Sequence, residues 1–318
     1  MNRTYLIGLG LLLTAPLIWG GMFSVANLVM PTVDPFTITA IRYGVGAPIF
    51  ILILLMLEGR SKVNFEGRSW RLFFYGTLGF AGFNMLAYIG LNDSSPEHAA
   101  IILALMPMIT VLVTWLRKGQ RPATFTLTTV GIAFLGVFLV VTNGSPELAF
   151  EKGEVSGDLL LLIAALCWVI YTLGAADFPS WSALRYTAMS SILGTVSIFV
   201  ITAGLALNGN IHLPTFSVIA SFGWEFFYLV ILGAVVAVLS WNAGIRIIGP
   251  LNGVLFINLV PVTAFVIGVL QGHLFTQDEL IGALLVVLAL IANNLYSRRR
   301  IEPEPIPIPL DRAMVKID

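Results

Sequence analysis

Long apolar runs recur along almost the whole chain, and they restrict its possible folds more than any other feature. Each run has about 18 residues or more and, at about 1.5 Å of helix rise per residue, is long enough to cross about 30 Å of hydrocarbon. Hydrophobic residues make up 58% of the 318-residue chain and charged residues 11%, against about 45–50% and about 25% in soluble domains. The runs therefore predict an all-α integral membrane protein.

The spacing of the runs predicts ten transmembrane helices joined by short connections. The first run is too long for the core of a signal peptide and has no convincing cleavage site, so we expect it to be retained. Cys167 is the only cysteine, which excludes a disulfide within the chain. The predicted spans cover residues 5–28, 36–57, 70–91, 96–116, 125–142, 159–176, 181–207, 222–245, 251–270 and 280–296.

Basic residues give the predicted orientation of these spans. Most of the 17 Lys and Arg residues fall on one side of the topology, in the connections at 58–71 and 117–121 and at both chain ends. Because Lys and Arg concentrate in cytoplasmic loops, we expect both termini to be cytoplasmic, in the inner (plasma) membrane of a bacterial-type cell. After Arg300 the tail IEPEPIPIPL favours an extended polyproline conformation.

Two twelve-residue stretches of the sequence share a pattern, each beginning and ending with proline. PEHAAIILALMP, at residues 96–107, is followed 154 positions later by PLNGVLFINLVP, at residues 250–261. Five predicted spans precede the connection near 144–156 and five follow it, so the second half would be inverted relative to the first. Inverted repeats of this kind are typical of secondary transporters, whose substrate site lies near the bilayer midplane. Other paired landmarks are Gly90 with Gly244, Trp19 with Trp168, and Arg42 with Arg185.

The predicted repeat divides the chain into four parts. Residues 1–143 form the first repeat, 144–156 the outer connecting loop, 157–297 the second, inverted repeat, and 298–318 a cytoplasmic proline-rich tail. Duplication kept only for folding, or a chance likeness between leucine-rich helices, is the alternative. Several landmarks in the same order favour a true inverted repeat.

The motifs of both halves resemble the drug/metabolite transporter superfamily, in its EamA-type exporter branch. The motifs are an early WGGMF, FTITAIRYGVGAP in the second span, and AAIILALMPMITVLVTWL mirrored by NGVLFINLVPVTAFVIGVL. The resemblance covers roughly residues 5–296. It implies ten helices in two inverted halves around a central cavity, lined mainly by the first, third and fourth helix of each half. It also implies export of small metabolites such as amino acids.

Trp19 and Trp168 are the strongest candidates for the cavity wall. Each lies deep in its span, about 21 Å and about 15 Å of helix from the span ends, although tryptophan usually marks the membrane interface. A buried indole must also satisfy its N–H group. These residues are therefore predicted to line a cavity, with plain helix packing as the alternative. Further cavity candidates are Met22, Asn84, Tyr88, Tyr171, Trp241 and Asn258.

Two arginines and two prolines are candidates for gating and bending. Arg42 and Arg185 lie inside spans, where each could reach its own interface and fix its helix, or act as a gate or a counter-charge to a carboxylate substrate. Pro107 and Pro261 lie mid-span in the fourth helix of each half. Proline removes a backbone hydrogen bond and bends a helix, so both are predicted hinges, with a static kink as the alternative.

The remaining residues narrow the predicted function to secondary transport. All acidic residues are predicted near water, so we expect no tightly coupled protonation step at bilayer depth. The spans contain no Ser/His pair, no HExxH motif and no paired carboxylates, so we do not expect an enzyme, and no phosphate-binding loop supports ATP use. We predict an exporter of small neutral, zwitterionic or aromatic solutes, working by alternating access. It would need no cofactor or metal. Its partners would be the solute and the lipid bilayer, not nucleic acid, and it could function as a monomer. A channel-like or scaffold protein is the alternative.

Overall fold

The computed structural model describes residues 3–94, 96–119, 121–142, 154–248, 256–257, 259–272 and 274–300. Over these residues the regular structure is helical and contains no strand, which confirms the all-α prediction for this part of the chain. The helices are α1 (Arg3–Val29), α2 (Pro35–Glu58), α3 (Ser69–Asn92), α4 (Pro96–Ala104), α5 (Met106–Lys118), α6 (Thr124–Thr142), α7 (Glu154–Gly174), α8 (Ala183–Leu207), α9 (Phe216–Ser221), α10 (223–248), α11 (Leu259–Leu270) and α12 (Gln277–Arg300).

Seven spans in the described part of the chain are long and apolar enough to cross a membrane. They are formed by α1, α2, α3, the consecutive α4 and α5, α7, α8 and α10. α6 is apolar but shorter, α12 is not among the seven, and the predicted ninth span is described only at 256–257 and from 259 onward. Large apolar side chains face outward: Leu52 is 56% exposed, Leu116 84% and Leu207 88%. Such a surface suits hydrocarbon rather than water.

Side-chain caps fix where two of the helices begin. Asp34 precedes α2, and its carboxylate accepts the backbone N–H groups of Phe36 and Thr37 at 3.0 and 2.9 Å. At the start of α12, the Glu279 carboxylate accepts the Thr276 N–H at 2.7 Å, and the Thr276 hydroxyl accepts the Glu279 N–H at 3.2 Å. This reciprocal pair is a capping box, and it holds Glu279 at the end of the bundle where α12 begins.

Glycines allow two helices to touch through their backbones. A Cβ atom on Gly76 of α3 would overlap the Ser190 carbonyl oxygen of α8, and one on Gly194 of α8 would overlap the Gly76 carbonyl oxygen. Small residues at such crossings are the usual means of close helix approach in membranes. The α3–α8 contact therefore depends on the absence of side chains at both positions.

Helix contacts in one half of the chain have counterparts in the other. α1 packs against α10 and α11, and α7 packs correspondingly against α3, α4 and α5. α2 packs against α8, and α6 packs against α12. The residues of α1, α3, α7 and α10 that meet in this arrangement surround the cavities described below.

Both α3 and α10 contain a π-helical segment, Thr77–Gly82 in the first and Tyr228–Val236 in the second. In the first segment the Phe83 N–H bonds to the Leu78 carbonyl, five residues earlier instead of four. Residues 231–236 of the second segment lie 154 positions after the first, the same offset as the repeated phrase. A π turn widens the helix and often occurs at functional sites.

Candidate functional site

A cavity of about 800 Å³ opens at one end of the bundle, and we call it the vestibule. Glu58, where α2 ends, and residues 179–183, between α7 and α8, lie at this end and line its mouth. Helix residues line it more deeply, and its volume falls within the range of about 300–1,000 Å³ usual for small-molecule sites. The deeper lining includes Trp19, Met106, Pro107, Trp168, Trp241 and Ile257.

A second, smaller cavity of about 60 Å³ adjoins the vestibule, and we call it the inner cavity. Trp19, Met106, Trp168 and Ile257 line both spaces, so they form the boundary between them. The wall of the inner cavity is mostly aromatic and apolar, and Arg42 is the charged side chain among the lining residues that the structure describes. Its other lining residues are Met22, Phe23, Tyr43, Phe83, Leu103, Gly233, Val238 and Val260.

Trp19 and Trp168 lie on this boundary in different environments. The Trp19 indole N–H donates to the Gly233 carbonyl at 3.1 Å, and its ring lies 5.6 Å from that of Trp241. The Trp168 ring lies 5.1 Å from that of Phe83, and its indole N–H makes no hydrogen bond to any residue that the structure describes. Trp168 therefore offers an unused donor at the junction of the two cavities.

Arg42 is 2% exposed and lies in the interior of the bundle instead of reaching toward the interface. Its Nε donates to the Leu229 carbonyl at 2.9 Å, and Nη1 donates to Asn84 Oδ1 at 2.5 Å and to the Tyr88 hydroxyl at 2.9 Å. Its Nη2 contacts Met22 Sδ at 2.9 Å. The guanidinium thus links α1, α2, α3 and α10 beside the inner cavity.

The π segments supply carbonyl groups to this site. In α10 the Leu229 carbonyl accepts from Arg42 and the Gly233 carbonyl accepts from Trp19. In α3 the Phe80 carbonyl accepts from the Asn84 side chain at 2.9 Å. Because wide π turns disturb the regular four-residue ladder, they make carbonyls available to side chains.

The helix that contains Pro107 is interrupted beside both cavities. α4 ends at Ala104, Leu105 forms a turn, and α5 begins at Met106. In the other half α11 begins at Leu259, so Pro261 lies in its first turn. Each of the two prolines is therefore close to the start of a helix that borders the cavities.

Arg185, the predicted repeat mate of Arg42, has a different environment. Its Nη2 forms an ion pair with the Glu66 carboxylate at 2.7 Å, and its guanidinium carbon lies 3.9 Å from the Trp181 ring centroid. The Trp181 indole N–H also donates to Glu66 at 2.9 Å. This bond and the Arg185 charge lower the pKa of Glu66. Arg185 thus clamps the α2–α3 connection onto the start of α8.

A group of ionisable side chains meets at the opposite end of the bundle, and we call it the acid–histidine cluster. His98 of α4 lies 3.7 Å from Asp158 of α7 and 3.7 Å from Glu279 of α12. The Ser94 hydroxyl donates to Asp158 at 2.6 Å. Asp158 is 5% exposed, although sequence analysis placed every acid near water. The cluster thus joins three helices at the end of the bundle opposite the vestibule mouth.

The cluster predicts a specific acid sensitivity. His98 is the main cause that lowers the pKa of Glu279 to about 2 from 4.5, followed by the bonds from Thr276. A lowered carboxyl pKa contributes stability above pH 4.5 that is lost as the pH falls from 4.5 toward 2. We expect the thermal unfolding midpoint to fall less over this interval in Glu279→Gln and His98→Gln than in the wild type. A full acid response in His98→Gln would contradict the assigned cause.

The structure brings together only part of the predicted site. Trp19, Met22, Arg42, Pro107, Trp168 and Trp241 line the vestibule or the inner cavity. Asn84 and Tyr88 lie behind the wall as partners of Arg42, and Tyr171 stacks on Tyr186. Asn258 lies outside the described residues.

Sequence reasoning missed several residues that line the inner cavity, notably Tyr43, Phe83, Met106 and Gly233. Gly233 and Phe83 lie in or directly after a π segment, whose wide turn changes which side chains face the cavity. The glycine-rich TLGFAGF stretch, at residues 77–83, was the available signal.

Comparison with known proteins adds four likenesses. The EamA-like transporter family matches residues 6–142 and 155–295. The chain is 36% identical over 291 residues to a protein from Bacillus subtilis (strain 168) named uncharacterized transporter YrdR, covering 90% of this chain and 91% of that protein. It is 26% identical over 168 residues to the aromatic amino acid exporter YddG of Ancylobacter novellus, covering 52% and 56%. A crystal structure of a protein 22% identical in sequence has a similar fold, with a TM-score of 0.62 over 94% of this chain and 98% of that one.

Proposed function

Because the chain belongs to the EamA-like transporter family, we propose that it exports small solutes by alternating access through the two cavities. The observation that carries this proposal is a vestibule of about 800 Å³ that ends at Trp19 and Trp168. At the other end of the bundle the acid–histidine cluster joins α4, α7 and α12, and we propose that it holds this end closed. A site that opens to one side while the other is closed is what alternating access requires.

We further propose ten spans in two inverted repeats, 1–143 and 157–297, joined by an outer connection at 144–156 and followed by a cytoplasmic tail at 298–318. The corresponding helix contacts of the two halves support this arrangement. So do the π segments in α3 and α10, which share the 154-residue offset. Pro107 and Pro261 would then be paired hinges in the fourth helix of each half.

The proposed orientation follows from the charges at the vestibule mouth. The mouth lies beside the connection at 58–71, which holds several basic residues. Because basic connections favour the cytoplasm, the structure would represent an inward-open state in the inner membrane, with both termini cytoplasmic. The acid–histidine cluster would then be the closed outer side.

The lining supports an aromatic or apolar solute, neutral or zwitterionic overall. Trp19, Trp168 and Phe83 surround the boundary and the inner cavity with aromatic faces. A phosphorylated solute would call for several cations, and Arg42 is the cationic side chain among the described lining residues. The likeness to an aromatic amino acid exporter agrees with this preference.

Counterflow in proteoliposomes tests the proposal. We expect saturable exchange of labelled L-phenylalanine or L-tryptophan against the same unlabelled solute. In alternating access, the inward-facing and outward-facing states interconvert faster with solute bound than without it, or only with it bound, so unlabelled solute on one side speeds the passage of labelled solute from the other. Linear flux without counterflow would instead support a channel. In the same assay Pro107→Ala and Pro261→Ala should each slow exchange, and full activity of both variants would contradict the hinge proposal.

A further inference from the structure

Arg42 is a buried cation whose partners in the described structure are all neutral. The guanidinium bonds to a carbonyl, an amide oxygen and a hydroxyl, and it contacts a thioether. No carboxylate among the described residues pairs with it. Arginine stays protonated in proteins, and a buried charge without a counter-charge is costly. Among the described residues, the site therefore lacks an anion that would compensate Arg42.

Arg185 differs from Arg42 in having a counter-charge. Both arginines are almost fully buried, at 2% and 3% exposure, and they occupy corresponding positions in the sequence. Arg185 has its counter-charge in Glu66 at 2.7 Å, and neither residue is among the described lining of the two cavities. Arg42 lines the inner cavity and has none in the described part of the chain. The arginine without a counter-charge among the described residues is therefore Arg42, which lines a cavity that a solute could reach.

The weak side of the Arg42 network is Nη2. Its contact at 2.9 Å is Met22 Sδ, and a thioether is a poor acceptor. Met22 and Arg42 both line the inner cavity. One water needs about 10–15 Å³ of such a space, so the cavity of about 60 Å³ has room for a group the size of a carboxylate but not for a whole solute.

A helix start adds positive potential at the same cavity. Met106 is the first residue of α5 and lines the inner cavity. The N-terminal end of a helix carries a partial positive charge that favours anions, and interrupted helices serve this purpose in other transporters.

We propose that Arg42 binds the carboxylate of the transported solute, whose aromatic or bulky apolar body lies between Trp19 and Trp168 and extends into the vestibule. The substrates are then aromatic or bulky apolar monocarboxylates, amino acids included. This inference rests on the proposed function and names its substrate class. Recognition uses a charge-assisted hydrogen bond from Nη2, because Nε and both Nη1 hydrogens already donate to Leu229, Asn84 and Tyr88.

Matched solutes test the inference on the wild-type protein. Counterflow in proteoliposomes is measured for acids and their primary amides: L-phenylalanine with L-phenylalaninamide, L-leucine with L-leucinamide, and 3-phenylpropionate with 3-phenylpropionamide. A hydrogen bond between two charged groups stabilises the bound acid enough to make its counterflow about 10- to 100-fold more efficient than that of its amide, in each transported pair. An amide transported as well as its acid would overturn the inference and leave transport intact. Saturable counterflow of no pair would overturn the proposed function and this inference together.

A matched pair of variants tests the charge of Arg42 without removing it. Met22→Glu has a similar length and places a carboxylate beside Nη2, whereas Met22→Gln places a neutral amide there. We expect Met22→Glu to abolish the preference for acids, lowering the acid-to-amide ratio about tenfold or more, while Met22→Gln retains that preference. An unchanged ratio in a folded Met22→Glu protein would contradict the proposal. If Met22→Glu does not fold, the wild-type comparison decides.

Discussion

Gly194→Ala should destabilise the protein by about 2–3 kcal/mol, whereas the same change at Gly204, ten residues along α8, should be neutral or slightly stabilising. A Cβ on Gly194 would overlap the Gly76 carbonyl of α3. Backbone atoms cannot rotate away as a flexible side chain can, so the two helices must move apart. A Cβ on Gly204 meets no atom within 4 Å, and alanine is the better helix former by about 1 kcal/mol.

Thermal unfolding of the purified variants measures this difference. The two substitutions add the same methyl group to the same helix, so general effects of alanine cancel in the comparison. Gly76→Ala should resemble Gly194→Ala, because its Cβ would overlap the Ser190 carbonyl from the other side of the contact. Equal midpoints for Gly194→Ala and Gly204→Ala would show that the backbones of α3 and α8 do not touch at this crossing.

The double variant Asp158→Asn/Glu279→Gln should favour opening of the bundle at the end opposite the vestibule mouth. Both acids face His98 at 3.7 Å from separate helices, so removing their charges weakens the connection of α4 to α7 and α12. A loss of about 1.4 kcal/mol raises the population of the open state about tenfold while that state is rare. Solutes should then reach the inner cavity from the outer side more often.

A cysteine at Leu103, which lines the inner cavity, reports this opening. Leu103→Cys in a Cys167→Ala background is labelled in intact cells with a membrane-impermeant maleimide. Its labelling rate should rise about tenfold in the double variant. Asp278→Asn is the control, because it removes an acid next to Glu279 that forms no ion pair in the described structure. Equal rates in both variants would contradict a latch at the acid–histidine cluster.

The all-helical fold and the depth of Trp19 and Trp168 could be predicted because they depend on run length and position along a helix. The environments of Arg42 and Arg185 could not, since their sequence contexts are nearly the same. Their difference comes from Glu66, which reaches Arg185 from a distant connection. The π segments were not predicted either: the glycine-rich stretch at 77–83 was a signal, but a π turn depends on tertiary packing more than on local propensity. Phe83 follows such a segment and therefore lines the cavity unexpectedly.

The acid–histidine cluster could not be predicted from the sequence either. Each member lies near a helix end, where sequence analysis correctly expected ionisable groups. Their convergence requires α4, α7 and α12 to start side by side, which is a property of the assembled bundle. The burial of Asp158 follows from that assembly and could not be seen from its position in the chain.

The four residues shared by the vestibule and the inner cavity separate two environments along the proposed pathway. Under the proposed function, a bound solute would span the aromatic and apolar boundary formed by Trp19, Trp168, Met106 and Ile257, with its carboxylate at Arg42. Selection between solutes would then depend on this boundary and on Arg42, whereas groups at the vestibule mouth such as Glu58 would affect how often solutes arrive. Throughput and choice could consequently evolve separately, through different residues of the same pathway.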